Sequence, residues 1–426
     1  MRVLLTANAS YLPPRGGATR SNLAWLEHLA AAGHACQVVC AALAARDEVH
    51  QQVRDEEVDH LWQRVAAAPG IQVFERGGVS VHSVTERARL VSLLRDQIRD
   101  FQPDWVLVSS EDLGHVLLRE AARSAPGRIV YLAHTPQFFP FGPASWNPDA
   151  EATDLVRQAA GVVTIGYHTG GYVAEHAGAA PEVIHPPIHG SGPFPNLANF
   201  HRGRVTMINP CAVKGSSIFL ALADRFRDVP FGALPGWGTT SSDRREFERR
   251  PNVVLLPNYR DIDGFFRQTR VLLMPSLWYE GFGLSVLEAK LRGIPTISSD
   301  SGGLVEANLG AGCTVGVRGI ERFEAAFDER GMPKPVLPEN DIGPWAAMLD
   351  RLLADRGFYE GTSGLSRSAA LAFVARIRPG RMEEYLLSLR PAEGGPEPPG
   401  TEALPAEKRE LLLRRLRQNA ARRNLA

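Results

Sequence analysis

Met274-Pro275-Ser276-Leu277-Trp278-Tyr279-Glu280-Gly281-Phe282-Gly283-Leu284-Ser285-Val286-Leu287-Glu288-Ala289-Lys290 reads as the end of a buried strand, a loop with two glycines, and the start of a helix. The helix is expected over about 284–292, closed by Gly293 and followed by Pro295, which cannot continue it. Gly281 and Gly283 let the backbone come close to a ligand, and the helix start offers unpaired N–H groups to an anion. Glu280 lies just before the helix and Glu288 inside it, so the two carboxylates face one cleft. Ionised carboxylates only accept hydrogen bonds, so a pair beside an anion site suits the hydroxyls of a sugar and a ribose. As a mere packing corner, this combination of glycines and acids would be costly.

Outward from this segment, short apolar runs alternate with helical stretches. Strands are expected at 2–8, 35–42, 72–74, 105–109, 128–134 and 162–165. A helix is expected at 19–32, with Leu23, Trp25, Leu26, Leu29 and Ala30 at core spacing. Pro186-Pro187-Ile188-His189-Gly190-Ser191-Gly192-Pro193-Phe194-Pro195 breaks every periodic pattern and reads as a linker. Alternation resumes with strands at 204–208, 231–234, 253–256, 271–274 and 295–299. The expected fold is therefore α/β, with two Rossmann-like, doubly wound parallel-sheet domains at 1–188 and 189–375. Ligands of such sheets sit at the carboxyl ends of the strands, so a nucleotide-type ligand belongs in the cleft between the two. Residues 391–406 are rich in Pro, Gly and Glu and read as disordered. Residues 407–423 form an expected amphipathic helix, with Leu412, Leu413, Leu416 and Ala420 opposite a row of arginines.

Composition excludes several classes of function. With 426 residues, 44% apolar and 22% charged, the chain has the make-up of a globular protein of two or three domains. Lys+Arg and Asp+Glu are both 47, so no whole-surface attraction to nucleic acid is expected. No apolar run approaches the roughly 18 residues of a membrane span. The opening Met1-Arg2-Val3-Leu4-Leu5-Thr6-Ala7-Asn8 turns polar too soon for a signal peptide. Four cysteines are no disulfide framework, and Cys36 and Cys40 lack the second pair a zinc site needs. A reducing, cytoplasmic setting is expected, with peripheral contact to a membrane or a protein partner left to the basic tail helix. Lysine occurs only at 214, 290, 334 and 408 against 43 arginines, which singles those four out.

Other segments lie at strand ends. Lys214, in Asn209-Pro210-Cys211-Ala212-Val213-Lys214-Gly215, stands where a cation neutralises a leaving diphosphate. Gly236-Trp237-Gly238 and Pro257-Asn258-Tyr259-Arg260 are expected walls for a nucleotide base, mostly through backbone. Pro13-Pro14-Arg15-Gly16-Gly17 joins the first strand to the first helix, a turn that suits phosphate contact or simple tight packing. His134 ends a strand and suits packing as well as chemistry. Phe138, Phe139 and Phe141 crowd the loop after it, either folded over the core or forming an apolar wall for an acceptor. Asp261-Ile262-Asp263 has the look of a metal motif, but Asp261 is better placed to cap the helix starting near Ile262, so no metal is expected.

The spacing Glu280-x7-Glu288, together with Gly293-Ile294-Pro295 and Ser301-Gly302-Gly303-Leu304-Val305-Glu306, resembles the retaining glycosyltransferases of family 4, which have the GT-B fold. The likeness of layout covers about 1–390 and is strongest over about 205–310. It implies that Glu280 holds donor-sugar hydroxyls and Glu288 the nucleotide ribose. The amides of Gly281, Phe282, Gly283 and Leu284 would meet the sugar or diphosphate, as would those of Gly16 and Gly17. His134 corresponds to a histidine beside the donor sugar. The family usually has an arginine five residues before the lysine. Here that position is Asn209, which leaves Arg15 as a candidate for the missing cation. A helix at 376–390 would pack back on the first domain. The implied activity is transfer of a sugar, with retention, from a nucleotide-sugar donor to a small-molecule, glycan or lipid acceptor, without a cofactor. A sugar-nucleotide epimerase and a non-catalytic nucleotide-binding relative are the alternatives on the same architecture.

Overall fold

The computed structural model describes residues 1–14, 16–43, 62–259 and 261–392. Arg15, Arg260 and the tail beyond 392, with the helix expected at 407–423, lie outside the described residues.

The first domain is built on a nine-stranded sheet: β1 (Arg2–Ala7), β2 (Ala35–Ala41), β3 (Gln63–Ala68), β4 (Ile71–Arg76), β5 (Val79–Val84), β6 (Trp105–Ser109), β7 (Ile129–Ala133), β8 (Gly161–Thr164) and β9 (Glu182–Val183). Their order is β3-β4-β5-β2-β1-β6-β7-β8-β9. The strands from β5 to β9 along that order run parallel, and the central β6 and β7 are buried along their whole length because helices cover both faces. The sequence reading missed β3 and β5. They join β4 as an antiparallel meander at the sheet edge, and β3 is exposed along its whole length, so no apolar run announces it.

The second domain carries β10 (Arg204–Ile208), β11 (Phe231–Leu234), β12 (Val253–Leu255), β13 (Thr269–Met274), β14 (Thr296–Ser299) and β15 (Cys313–Val315), all parallel in the order β12-β11-β10-β13-β14-β15. A separate antiparallel pair, β16 (Phe323–Phe327) and β17 (Pro333–Pro335), follows. Chain order reverses between β1 and β6 in one sheet and between β10 and β13 in the other. These are the two crevices where loops splay apart and a ligand can enter.

Four helices tie the halves together: α1 (Gly16–Ala31), α2 (Leu284–Leu291), α3 (Arg356–Val374) and α4 (Arg381–Ser388). One apolar cluster runs from Val3, Leu5 and Trp25 through Ile184 to Phe282, Leu287, Leu304 and Phe373, so the domains share a continuous core. α4 lies on the first domain. Met382 and Leu386 join that cluster, Glu383 meets His34 Nε2 at 2.8 Å, and Arg381 pairs with Glu182. Among the described residues, no helix is long and apolar enough to cross a membrane.

Candidate active site

β10 ends at Ile208, and the chain turns through a short 3-10 segment (Ala212–Lys214) before Gly215. Gly215 has φ +81°, and a Cβ there would stand 1.9 Å from the carbonyl oxygen of Pro275. Only glycine permits that approach, which sets Lys214 against the end of β13. Lys214 Nζ lies 2.5 Å from Glu280 Oε1 and 4.3 Å from the centroid of the Trp278 ring. The Ser276 hydroxyl donates to the same carboxylate oxygen. Lys214 and Glu280 are 8% and 7% exposed, so each charge depends on the other for its compensation. The Glu280 backbone is fixed too: its carbonyl accepts from Gly303 N–H at 2.7 Å.

Glu288 sits on α2, one turn beyond Leu284, and is 5% exposed. Its Oε1 accepts from Arg20 Nη2 at 2.7 Å, across the gap from α1. Burial alone would raise the Glu288 carboxyl. Arg20 first, then His189 and Arg292, outweigh burial and hold the group below the usual carboxylate range. Glu288 in turn raises Arg20. The linker contributes here as well. Burial pushes the His189 imidazole down to about 4, with Glu288 acting the other way. Arg20 and His189 escaped the sequence reading. The available signal was Arg20's place one helical turn beyond Gly16, on the face α1 turns to the second domain.

The glycines of the loop serve the seam between domains more than a ligand. A Cβ on Gly281 would lie 2.0 Å from the carbonyl oxygen of His134, and Thr169 Oγ1 donates to Gly281 O at 2.6 Å. This corrects the reading of Gly281 as open to a ligand: its Cα face is filled by the first domain. The Phe282 ring is likewise core, stacked on Phe373 at 5.7 Å and edge-on to His185. Gly283, at φ +116°, opens α2. Gly17 abuts α2 in the same way, since a Cβ there would meet Leu284 Cδ1 at 2.9 Å, whereas Gly16 has only the Trp237 edge at 3.8 Å.

His134 is 2% exposed, with its ring turned into the first domain. It stacks on Trp25, and Nε2 pairs with Asn22 Oδ1 at 2.7 Å. Burial drives its pKa down to about 3, so the ring is neutral at pH 7. Nδ1 is buried and has no partner among the described residues. His134 thus meets the second domain through its backbone, not its ring.

On the base side, Asn209 adopts φ +52° and accepts from Gly238 N–H at 2.8 Å, which ties the Gly236–Gly238 turn to β10. Trp237 tilts over Trp278 at 5.6 Å. Pro257 and Asn258 are exposed. The Tyr259 ring packs on Phe265, and its hydroxyl accepts from Gln268, so only its backbone is free to line the site. Asp261 caps the helix that follows, accepting from Asp263 N–H at 3.0 Å, and Asp263 pairs with Arg292.

The aromatic loop divides. Phe139 and Phe141 are core residues packed with Tyr131 and Tyr172, which corrects their placement in an acceptor wall. The reason is the short turn after Thr135, which buries nearly the whole loop from Pro136 to Phe141 and leaves Phe138 half-buried. Phe138 stays half-buried, edge-on to Trp146 at 5.3 Å, and Trp146 meets Trp278 and Phe323 of the second domain.

Residues 15–189 match the family described as Glycosyltransferase Family 4, and residues 243–314 match the one described as Glycosyl transferases group 1. No curated protein matches the chain by sequence. Among solved structures, the chain is similar to the Anabaena protein HepE in complex with UDP and glucose, at 15% identity and a TM-score of 0.61, covering 91% of this chain and 100% of that one. It is also similar to sucrose-phosphate synthase from Thermosynechococcus elongatus, at 14% identity and a TM-score of 0.61 (91% and 99% covered). A third similar structure, of an E. coli protein bound with UDP-2-fluoro glucose, has 13% identity and a TM-score of 0.56 (91% and 98% covered). At these identities the structural likeness speaks for the fold. The two family matches fall in chain order, one on each sheet, and the chain belongs to the GT-B-fold glycosyltransferases.

Proposed function

We propose that this chain transfers a sugar from a nucleoside diphosphate sugar to an acceptor hydroxyl, with retention of configuration. The observation that carries this reading is the placement of Glu280 and Glu288 on either side of the α2 N-terminus, each already holding a cation. Two buried carboxylates, each paired with a cation, beside free helix amides suit a polyhydroxylated, anionic ligand. In this reading the ribose takes Glu288 and the sugar hydroxyls take Glu280. The diphosphate faces the amides around Gly283 and Leu284 and the ammonium of Lys214. As the glycosidic bond breaks, charge gathers on the departing phosphate, and Lys214 stabilises it. That phosphate accepts the acceptor's proton on the same face of the sugar, so the protein supplies position and electrostatics rather than a general base. His134 borders this site through its carbonyl, which lies against Gly281, while its ring packs within the first domain on Trp25 and Asn22. Phe138 and Trp146 are the aromatic surface left for the acceptor. The Anabaena protein's complex with UDP and glucose supports a uridine-type donor.

The test is a melting-temperature screen against nucleoside diphosphates and their sugars, followed by transfer assays on an acceptor panel. Stabilisation by a nucleotide sugar and transfer without inversion are expected. Conversion of the donor with no acceptor present would make the chain an epimerase. Binding without turnover across the panel would make it a non-catalytic relative.

A further inference from the structure

The site lacks one cation where the diphosphate is expected, because position 209 is an uncharged asparagine whose amide oxygen is committed to Gly238 N–H. A guanidinium nevertheless reaches the site from the opposite domain. Gly17 touches Leu284, the first residue of α2, and three residues further along α1 Arg20 reaches Glu288, four residues along α2. The two helices therefore meet along this stretch, and Glu288, which holds the Arg20 guanidinium, stands about 6 Å along the α2 axis from Leu284, roughly one turn from the helix start. Its side chain is 40% exposed and makes one hydrogen bond among the described residues, to Glu288. A flexible arginine of that length can cover one helical turn by changing rotamer.

We propose that Arg20 is the second diphosphate cation of this chain, parked on Glu288 until a nucleotide's ribose takes that carboxylate. The inference rests on the functional reading above, which places the ribose on Glu288. Ribose hydroxyls and Arg20 compete for one carboxylate, so ribose binding releases the guanidinium. The nearest anion is then the diphosphate at the start of α2, which the planar fork of arginine grips through two N–H groups. Lys214 on one side of the Gly281–Leu284 loop and Arg20 on the other would enclose that anion between the domains.

The experiment measures affinity of the full chain for UDP, GDP and ADP, each beside its monophosphate, in wild type, R20Q and R20K. The wild-type chain should prefer at least one diphosphate strongly over its monophosphate. R20Q should lower that ratio about tenfold or more, as expected for losing a charge-assisted hydrogen bond, while monophosphate binding holds or tightens because a competitor for Glu288 is gone. R20K should retain most of the ratio. Melting temperatures of the three proteins, taken in parallel, separate loss of the contact from loss of the fold. A diphosphate-to-monophosphate ratio unchanged within twofold in R20Q overturns the role of Arg20 and leaves the functional reading standing. A wild-type chain that binds none of the three diphosphates overturns both.

Discussion

Lys214 and Glu280 are separated by 65 intervening residues, yet their charges form a single unit in a place where neither could sit alone. Glu280→Ala should lower kcat by about two orders of magnitude or more, as loss of preorganised contacts to the sugar predicts, and should also lower the melting temperature, because buried Lys214 loses its partner. Initial rates at saturating donor check this, and rates equal to wild type would remove the assigned role. A second carboxyl, on Glu111 after β6, titrates in an accessible range. Burial raises it to about 7, against a hydrogen bond from Ser109 that lowers it. Between about 4.5 and 7 the native chain therefore holds a proton that the unfolded chain has released, and this group's contribution to stability falls as pH rises. Urea midpoints at pH 5 and 7.5 should differ less in Glu111→Gln than in wild type, once each is referenced to its own pH 5 value.

At the scale of elements, helix ends decide where the loops of the site stand. Thr240 and Asp243 form a capping box at the start of the helix Ser241–Glu248, directly after the Gly236–Gly238 turn. Thr240→Ala should cost about 1 kcal/mol in denaturant unfolding, the ordinary worth of such a cap. The element pattern was largely readable from apolar runs: β6 and β10 fall on the expected residues, and most other strands lie within one or two. What escaped were β3, β5, β9, β15 and the β16–β17 pair; apart from the largely buried β5, these strands are short, exposed or interrupted by proline, so they carry no long run of buried residues to betray them.

At the scale of the whole molecule, polar and aromatic contacts interleave along the seam between the domains. Glu306 accepts from His168 N–H at 3.0 Å and meets His185 Nε2 at 3.2 Å, while Tyr279 packs on Tyr172. Gly281 lets the two backbones touch at His134. Gly281→Ala should force the domains apart, because a methyl group cannot share 2.0 Å with a carbonyl oxygen. Small-angle scattering should then show a larger radius of gyration, and transfer should weaken even though no charged group of the site has changed. Truncation after Ala392 should leave transfer to a small acceptor intact, because the described fold closes at that point, with Ala392 N–H donating to Gly127 O at 2.8 Å.

The sequence by itself determined two parallel sheets and the strand–loop–helix corner at 274–291 with its two acidic residues. Those features follow from local periodicity, glycine conformation and helix termination, which depend on residues near one another in the chain. Only the tertiary structure decided that Phe139 and Phe141 are core, that the His134 ring points away from the second domain, and that Arg20 reaches Glu288. Each of those outcomes depends on which side of an element a neighbour from the other domain occupies. That is set by the packing of α1 against α2, and no local pattern encodes it.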